Sequence, residues 1–311
     1  LEDPELRERF ERETKIVARL EHAAIVPVYD VGHDRGQLFF VMRYMNGGSL
    51  TERINEGRLD LEQVAYLLAD VLYQAGLPPP MLSVLTGDPR EIGDELLTHP
   101  DVDLVTFTGG VAIGKHIAAR AVYKRQVLEL GGNDPLIVMD DADLAEAAAL
   151  AASGSYKNSG QRCTAVKRIL VHERVAEPFI EKLLEATARV RWGDPLDPAI
   201  DMGTVIDEAA ALEFESRVIE AVAQGARLLT GNLRSGALYS PTVLDRVRPD
   251  MRLVREETFG PVSPVIRFSD IDEAIRIANG TAYGLSSAVC TQRLDHITRF
   301  VSELAVGTVN V

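Results

Sequence analysis

Cysteine is scarce: the 311 residues include two, Cys163 and Cys290. Two cysteines cannot staple a small secreted scaffold, so a reducing, cytoplasmic compartment is expected. Basic side chains are also in deficit, with 33 Lys and Arg against 47 Asp and Glu and a formal net charge of -14. A surface of that sign repels phosphate backbones, which argues against nucleic acid as a partner. No apolar run reaches the roughly 20 residues that span a bilayer, and no signal segment is visible, so no membrane partner is expected. The 6 histidines are scattered and share no ligand spacing with cysteine or carboxylate, so no metal is expected. Repeats and low-complexity tracts are absent. The chain opens on Leu1 rather than Met, which reads as a fragment of a longer polypeptide. What is present, 46% hydrophobic and 26% charged residues, is ordinary for a globular protein, and the length suits about two domains.

The chain changes character along its length. Residues 3–21 have an amphipathic helical pattern, followed by β-rich runs at 25–31 and 37–45 joined by a hairpin-like turn at 32–36. A capping-box pattern, Ser49-Leu50-Thr51-Glu52, starts the next helix, and residues 59–72 read as another. The breaker cluster Ala75-Gly76-Leu77-Pro78-Pro79-Pro80 marks a boundary. Beyond it strands and helices alternate. Strand-like runs fall at 81–86, 102–108, 125–130, 136–139, 166–171, 226–229, 286–290 and 306–311. Helical patterns fall at 111–121, 143–153, 177–190, 208–224, 272–279 and 294–304. That alternation predicts a parallel α/β architecture.

Three places could carry chemistry. Cys163 lies in a polar loop, with Arg162 adjacent and Lys157 and Lys167 near in sequence. Reactive cysteines need solvent access and positive neighbours, although an inert loop cysteine fits the same string. Cys290 closes the apolar run Leu285-Ser286-Ser287-Ala288-Val289 and reads as a small buried hydrophobe. Glu129 sits in an apolar strand that ends in Gly131-Gly132; it is either a strand-end charge reaching solvent or a general base. Gly109-Gly110-Val111-Ala112-Ile113-Gly114 joins a strand to a helix, the setting for an anion at a helix N-terminus or for a simple tight turn.

Taken together, five strings resemble the aldehyde dehydrogenase superfamily: Phe107-Thr108-Gly109-Gly110 with Gly114, Glu129-Leu130-Gly131-Gly132-Asn133, Gly160-Gln161-Arg162-Cys163, Glu256-Glu257-Thr258-Phe259-Gly260-Pro261 and Gly307-Thr308-Val309-Asn310. Their order and spacing follow the family from about residue 73 to 311, and residues 155–168 are similar to phosphonoacetaldehyde dehydrogenases. The resemblance implies that Cys163 attacks an aldehyde to form a thiohemiacetal. Hydride then passes to NAD, with NADP as the other option, and Glu129 activates water against the resulting thioester. It implies an oxyanion donor in the Cys163 backbone N–H. It places Arg162 and Thr164 at the substrate, and an Arg beside the nucleophile suits an anionic aldehyde, although a salt-bridged loop Arg fits equally. It assigns Thr108, Gly109, Gly110, Gly114, Leu130, Gly131, Glu257 and Phe259 to the cofactor. Members of the family are homo-oligomers.

Residues 1–72 instead resemble the amino lobe of a bacterial-type Ser/Thr protein kinase. Residues 10–22 are similar to its regulatory helix, with Glu13 at the ion-pair position, residues 25–31 and 37–44 to the next two strands, and residues 41–45 to the hinge. A Gly-rich loop, His-Arg-Asp and Asp-Phe-Gly are missing, and the lysine of this block, Lys15, falls on the helix, so no kinase activity is expected. The implied organisation is a kinase-like fragment over 1–72, a partial NAD(P)-binding domain over 73–130 and a catalytic domain over 131–311 that is truncated at its carboxyl end. The fold class is therefore α/β, an incomplete aldehyde-dehydrogenase-like fold with a partial Rossmann-type domain, preceded by an α+β piece. A fusion or assembly chimaera of two gene fragments accounts for the junction. Low turnover is expected, because the family's first half supplies a second oxyanion donor and part of the cofactor site. The alternative is a non-catalytic fusion of a kinase-like interaction module with a degenerate dehydrogenase body.

Overall fold

A computed structural model describes residues 28–34, 37–42 and 61–311. It comprises two compact units, Leu1–Glu95 and Leu96–Val311.

In the first unit, β1 (Val28–Asp34) pairs antiparallel with β2 (Gln37–Met42). The turn expected at 32–36 is shorter than the sequence pattern indicated. Gly32 and His33 sit opposite Phe39 and Leu38, and pairing continues to Asp34 and Gln37, so two residues separate the strands, the commonest hairpin connection. The helix expected at 3–21, with Glu13 and Lys15, and the capping box at 49–52 lie outside the described residues, as does the hinge beyond Met42.

Helix α1 (Leu61–Gln74) closes on a Schellman motif. The N–H of Leu77 reaches the carbonyl of Leu72 at 3.0 Å, that of Gly76 reaches Tyr73 at 3.0 Å, and Gly76 takes the left-handed φ of 99° that this closure demands. The strand expected at 81–86 does not form. Pro79–Met81 is a 3₁₀ turn, and the Tyr73 hydroxyl donates to the Leu82 carbonyl, so an acceptor that a ladder would need is already used. Helix α2 (Pro89–Thr98) follows, with the Asp88 carboxylate accepting from the Arg90 N–H at 2.9 Å.

The second unit begins with β3 (Leu104–Thr108), α3 (Val111–Ala121) and β4 (Arg125–Glu129). The two strands are parallel neighbours from Leu104–Arg125 to Thr108–Glu129, so this first part of the unit is a single βαβ crossover. Its small core is Leu97, Ile117 and Ala121 against Phe107 and Leu128.

The larger body is one seven-stranded sheet. Its strands are β5 (Asp134–Val138), β6 (Val166–His172), β7 (Arg227–Thr230), β10 (Thr242–Asp245), β11 (Val262–Phe268), β12 (Ser286–Cys290) and β13 (Thr308–Asn310), and β8 (Arg234–Ser235) with β9 (Leu238–Tyr239) forms a separate ribbon. The spatial order is β13-β12-β5-β6-β11-β10-β7, parallel except where β7 meets β10. Alternate residues of each strand feed opposite faces. Leu136 and Val138 join Ile169, Val171 and Val265 under α4 (Leu144–Tyr156) and α5 (Ala176–Ala188). Ile137, Leu170 and Ile266 join the core under α6 (Glu208–Ala223), α8 (Ile271–Ala278) and α9 (Leu294–Glu303). A short helix, α7 (Arg252–Arg255), precedes the Glu256–Pro261 string.

Aspartates start three of these helices. Asp143 caps α4, Asp207 caps α6 and Asp270 caps α8, each accepting from backbone N–H groups of the first turn; such a cap is worth about 1 kcal/mol. No helix among the described residues is long and apolar enough to cross a membrane.

Candidate active site

The site is assembled where three chain reversals meet. The first is the β3–α3 turn. Thr108 ends the strand, Gly109 donates to the Glu129 carbonyl at 3.0 Å, and Gly110 is the N-cap of α3, with open space where a Cβ would stand. The unpaired N–H groups of the first turn of α3 therefore begin beside an unobstructed backbone, the arrangement that accepts an anion.

The second reversal follows β4. Glu129 is its last residue, and Leu130-Gly131-Gly132-Asn133 carries the chain into β5. Arg168 anchors this stretch from beneath. It is almost fully buried, and its guanidinium donates to the carbonyls of Asn133 (2.7 Å), Ile277 (3.0 Å) and Ala278 (2.9 Å), tying the loop to the carbonyl end of α8. Burial pushes its pKa down to about 10.

The third reversal runs from the end of α4 to β6 and carries Cys163. Asn158, Ser159 and Gly160 have φ of 56°, 54° and 72° in succession. A Cβ on Gly160 would lie 2.3 Å from the carbonyl oxygen of Gly260, so only glycine lets the Gly160–Cys163 string pass against the Glu256–Pro261 string. Gln161 fixes the turn from the other side, its side-chain oxygen accepting from the Ile206 N–H at 2.8 Å.

These reversals enclose a cleft of about 640 Å³. Cys163 and Glu129, the expected nucleophile and base, both line it, as do Arg162 and Thr164. Of the residues expected at the cofactor, Thr108, Gly109, Gly110, Leu130, Gly131, Glu257 and Phe259 line it too. Gly114 does not. It is buried within α3, where an added Cβ would meet the Leu130 side chain at 2.4 Å, so it lets the helix pack behind a residue of the cleft wall. Gln161 also lines the cleft, a position that nothing in its string singles out.

Glu257 is held tightly. Its carboxylate accepts from the Gly132 N–H at 3.2 Å and pairs with the Lys167 ammonium at 3.2 Å, and a Cβ on Gly131 would come within 2.1 Å of it. Arg162 is half-buried; its Nη2 donates to the Gly154 carbonyl at 2.8 Å, and its buried Nε finds no acceptor. Cys290, in contrast, packs against the core under α4, where burial pushes its thiol up to about 11. At neutral pH that sulfur is a protonated hydrophobe, unsuited to nucleophilic attack.

Behind the cleft, Asp134 is 4% exposed and burial raises its carboxyl to about 6, with the Lys167 and Arg168 charges opposing the rise. The unfolded chain loses this proton near 3.8, while the folded chain keeps it to about 6. Folded chains thus bind more protons across that window, and stability falls as pH rises through it, by roughly 3 kcal/mol in total. Asp134→Asn is expected to flatten that fall, measured as urea midpoints between pH 4 and 7.

Sequence comparison matches the aldehyde dehydrogenase family over residues 60–311 and the protein tyrosine and serine/threonine kinase family over residues 2–77. The chain is 41% identical over 244 residues to a sulfoacetaldehyde dehydrogenase of Neptuniibacter caesariensis, covering 78% of this chain and 53% of that protein. It is likewise 41% identical to a 3-sulfolactaldehyde dehydrogenase of Priestia aryabhattai, over 78% of this chain and 51% of the relative. Among solved structures, an NADP-dependent glyceraldehyde-3-phosphate dehydrogenase from Bacillus halodurans, complexed with NADP, superposes with a TM-score of 0.76 at 43% identity, over 78% of this chain and 51% of that one. The chain thus spans about half the length of the relatives it matches. With four of the family's five strings contributing to one cleft and a match running from residue 60 to 311, this chain belongs to the aldehyde dehydrogenase family.

Proposed function

We propose that the chain carries the chemistry of NAD(P)-dependent oxidation of a small anionic aldehyde, a phosphonate such as phosphonoacetaldehyde or a sulfonate, to the carboxylic acid. The single observation behind this reading is that Cys163 and Glu129 line the same cleft as Glu257 and the Gly109-Gly110 turn that leads into α3. The residues present suit a dinucleotide. The open backbone at Gly110 and the first N–H groups of α3 fit a pyrophosphate, and the clamped Glu257 carboxylate fits a pair of ribose hydroxyls.

In this reading the Cys163 thiolate adds to the aldehyde carbon, and the Cys163 backbone N–H donates to the oxyanion of the thiohemiacetal. A nicotinamide held through Glu257 would supply the hydride acceptor, and loss of hydride from that carbon would leave a thioester on Cys163. Glu129 takes a proton from water as the water oxygen attacks the thioester carbon; the C–S bond then breaks, releasing the acid and restoring the thiol. Phe259 forms part of the apolar wall beside this position.

Arg162 supports the anionic substrate. Arg162 lines the cleft, and a guanidinium charge there can pair with a phosphonate or sulfonate oxygen. The curated relatives named for sulfoacetaldehyde and sulfolactaldehyde are consistent with that charge. The reading is tested by absorbance of the reduced nicotinamide, with phosphonoacetaldehyde, sulfoacetaldehyde and a neutral aldehyde compared at stoichiometric protein. Arg162→Ala is expected to raise KM for the anionic aldehydes by about 10- to 100-fold, the worth of a charge-assisted hydrogen bond, and to leave the neutral one nearly unchanged. An equal effect on both removes the anionic assignment.

A further inference from the structure

We propose that Lys167 is a positioning residue that sets the reactivity of the Cys163 thiol and the hold on Glu257 through one buried ammonium. The inference rests on the reading of Cys163 as nucleophile. Lys167 lies in β6, two residues beyond the end of the turn, and is 3% exposed. Its Nζ donates to the Arg162 carbonyl at 2.7 Å and to the Cys163 carbonyl at 2.9 Å, and its third donor serves the Glu257 carboxylate at 3.2 Å. An ammonium has three donors, and all three are used. The charge also stands 5.6 Å from the centroid of the Phe259 ring.

The geometry has two consequences. Mechanically, the Cys163 turn and Glu257 cannot separate without stripping a buried ammonium of its partners. Electrostatically, the ammonium favours the Cys163 thiolate, and the Glu257 carboxylate cancels part of that field. The charged groups facing this point are Glu257 from the loop after α7, Asp134 in β5, Arg168 beside Lys167 in β6, Arg162 in the turn, and Glu129 across the cleft. Burial pushes the ammonium's own pKa down, and Glu257, Asp134 and the Cys163 thiolate push it back up. The two partners of the pair therefore act on Cys163 with opposite signs.

That opposition is the test, and it requires neither aldehyde nor nicotinamide. The intact chain and its Lys167→Met and Glu257→Gln variants are alkylated with iodoacetamide from pH 5 to 10, and the rate at Cys163 is read by peptide mass mapping with Cys290 as the internal reference. Lys167→Met is expected to move the Cys163 midpoint up by about one pH unit, roughly tenfold slower at neutral pH. Glu257→Gln is expected to move it down. A purely structural role shifts both variants the same way or neither, and either result overturns the proposal. Rapid labelling of Cys290 in Lys167→Met reports unfolding; Glu257→Gln then decides alone, a downward shift supporting the assignment and an unmoved or raised midpoint overturning it. Turnover by the unaltered chain with unmoved midpoints defeats this inference alone, whereas opposite shifts without turnover defeat only the dehydrogenase reading.

Discussion

Cys163→Ser is expected to abolish aldehyde-dependent reduction of nicotinamide, by at least about 10,000-fold relative to the unaltered chain, because the covalent step has no other sulfur to use. The serine hydroxyl keeps the shape of the turn but stays protonated at neutral pH. Cys290 offers no detour. It is packed against the core in β12, and its thiol is pushed up to about 11. The substitution leaves the hydrogen bonds around it in place, since Lys167 binds the backbone carbonyl of residue 163 rather than its side chain. Thermal unfolding within a degree or two of the unaltered chain, alongside lost activity, is the expected pair of results. Reduction that persists in the serine variant assigns the chemistry elsewhere.

Glu129→Gln is expected to separate the two halves of the reaction. In the proposed mechanism attack and hydride transfer do not use this carboxylate, so one equivalent of reduced nicotinamide is expected to form rapidly. Hydrolysis uses it in that mechanism, and the steady rate that follows is expected to fall by about 100- to 10,000-fold, the usual contribution of a positioned base. Stopped-flow absorbance reads both phases. A variant that loses the burst together with the steady rate places Glu129 in an earlier step. Because Glu129 is exposed at the end of β4, with no buried pair to break, the effect on stability should be small.

Much of this was legible in the chain, for physical reasons that differ by element. Helix α3 is bounded by Gly110 and by the loss of pattern after Ala121, and it runs over the residues that the pattern marked. The buried parallel strands announce themselves by apolar stretches, Leu136–Val138 in β5 and Ile169–Val171 in β6, because both faces of the sheet are covered. Strand β11 was missed. Its run carries Pro264, a residue that normally excludes a central strand, yet here Pro264 sits opposite Leu244 in the interior of the sheet. The run at 81–86 erred in the other direction, since an apolar string forms a strand only when a neighbour supplies its ladder. In the site, Cys163 and Glu129 carried their own signal as a cysteine among cations and a carboxylate at a Gly-Gly turn. Lys167 looked like one more nearby cation. Its proposed role depends on the meeting of the turn with Glu257, 90 residues further on, which no local pattern encodes. Gly160 and Gly260 have the same character: each is ordinary in its own string, and the 2.3 Å clearance that fixes Gly160 appears only when the two strings are brought together.

Trapping the acyl group on the protein tests the proposed shared role of Cys163 and Glu129 most directly. Glu129→Gln protein is mixed with an anionic aldehyde and nicotinamide dinucleotide, quenched in acid during the burst and mapped by peptide mass. The expected result is a thioester on the peptide containing Cys163, in equal amount to the reduced nicotinamide formed, with the Cys290 peptide unmodified. Reduced nicotinamide formed over an unmodified Cys163 peptide, or acyl mass on Cys290, contradicts it.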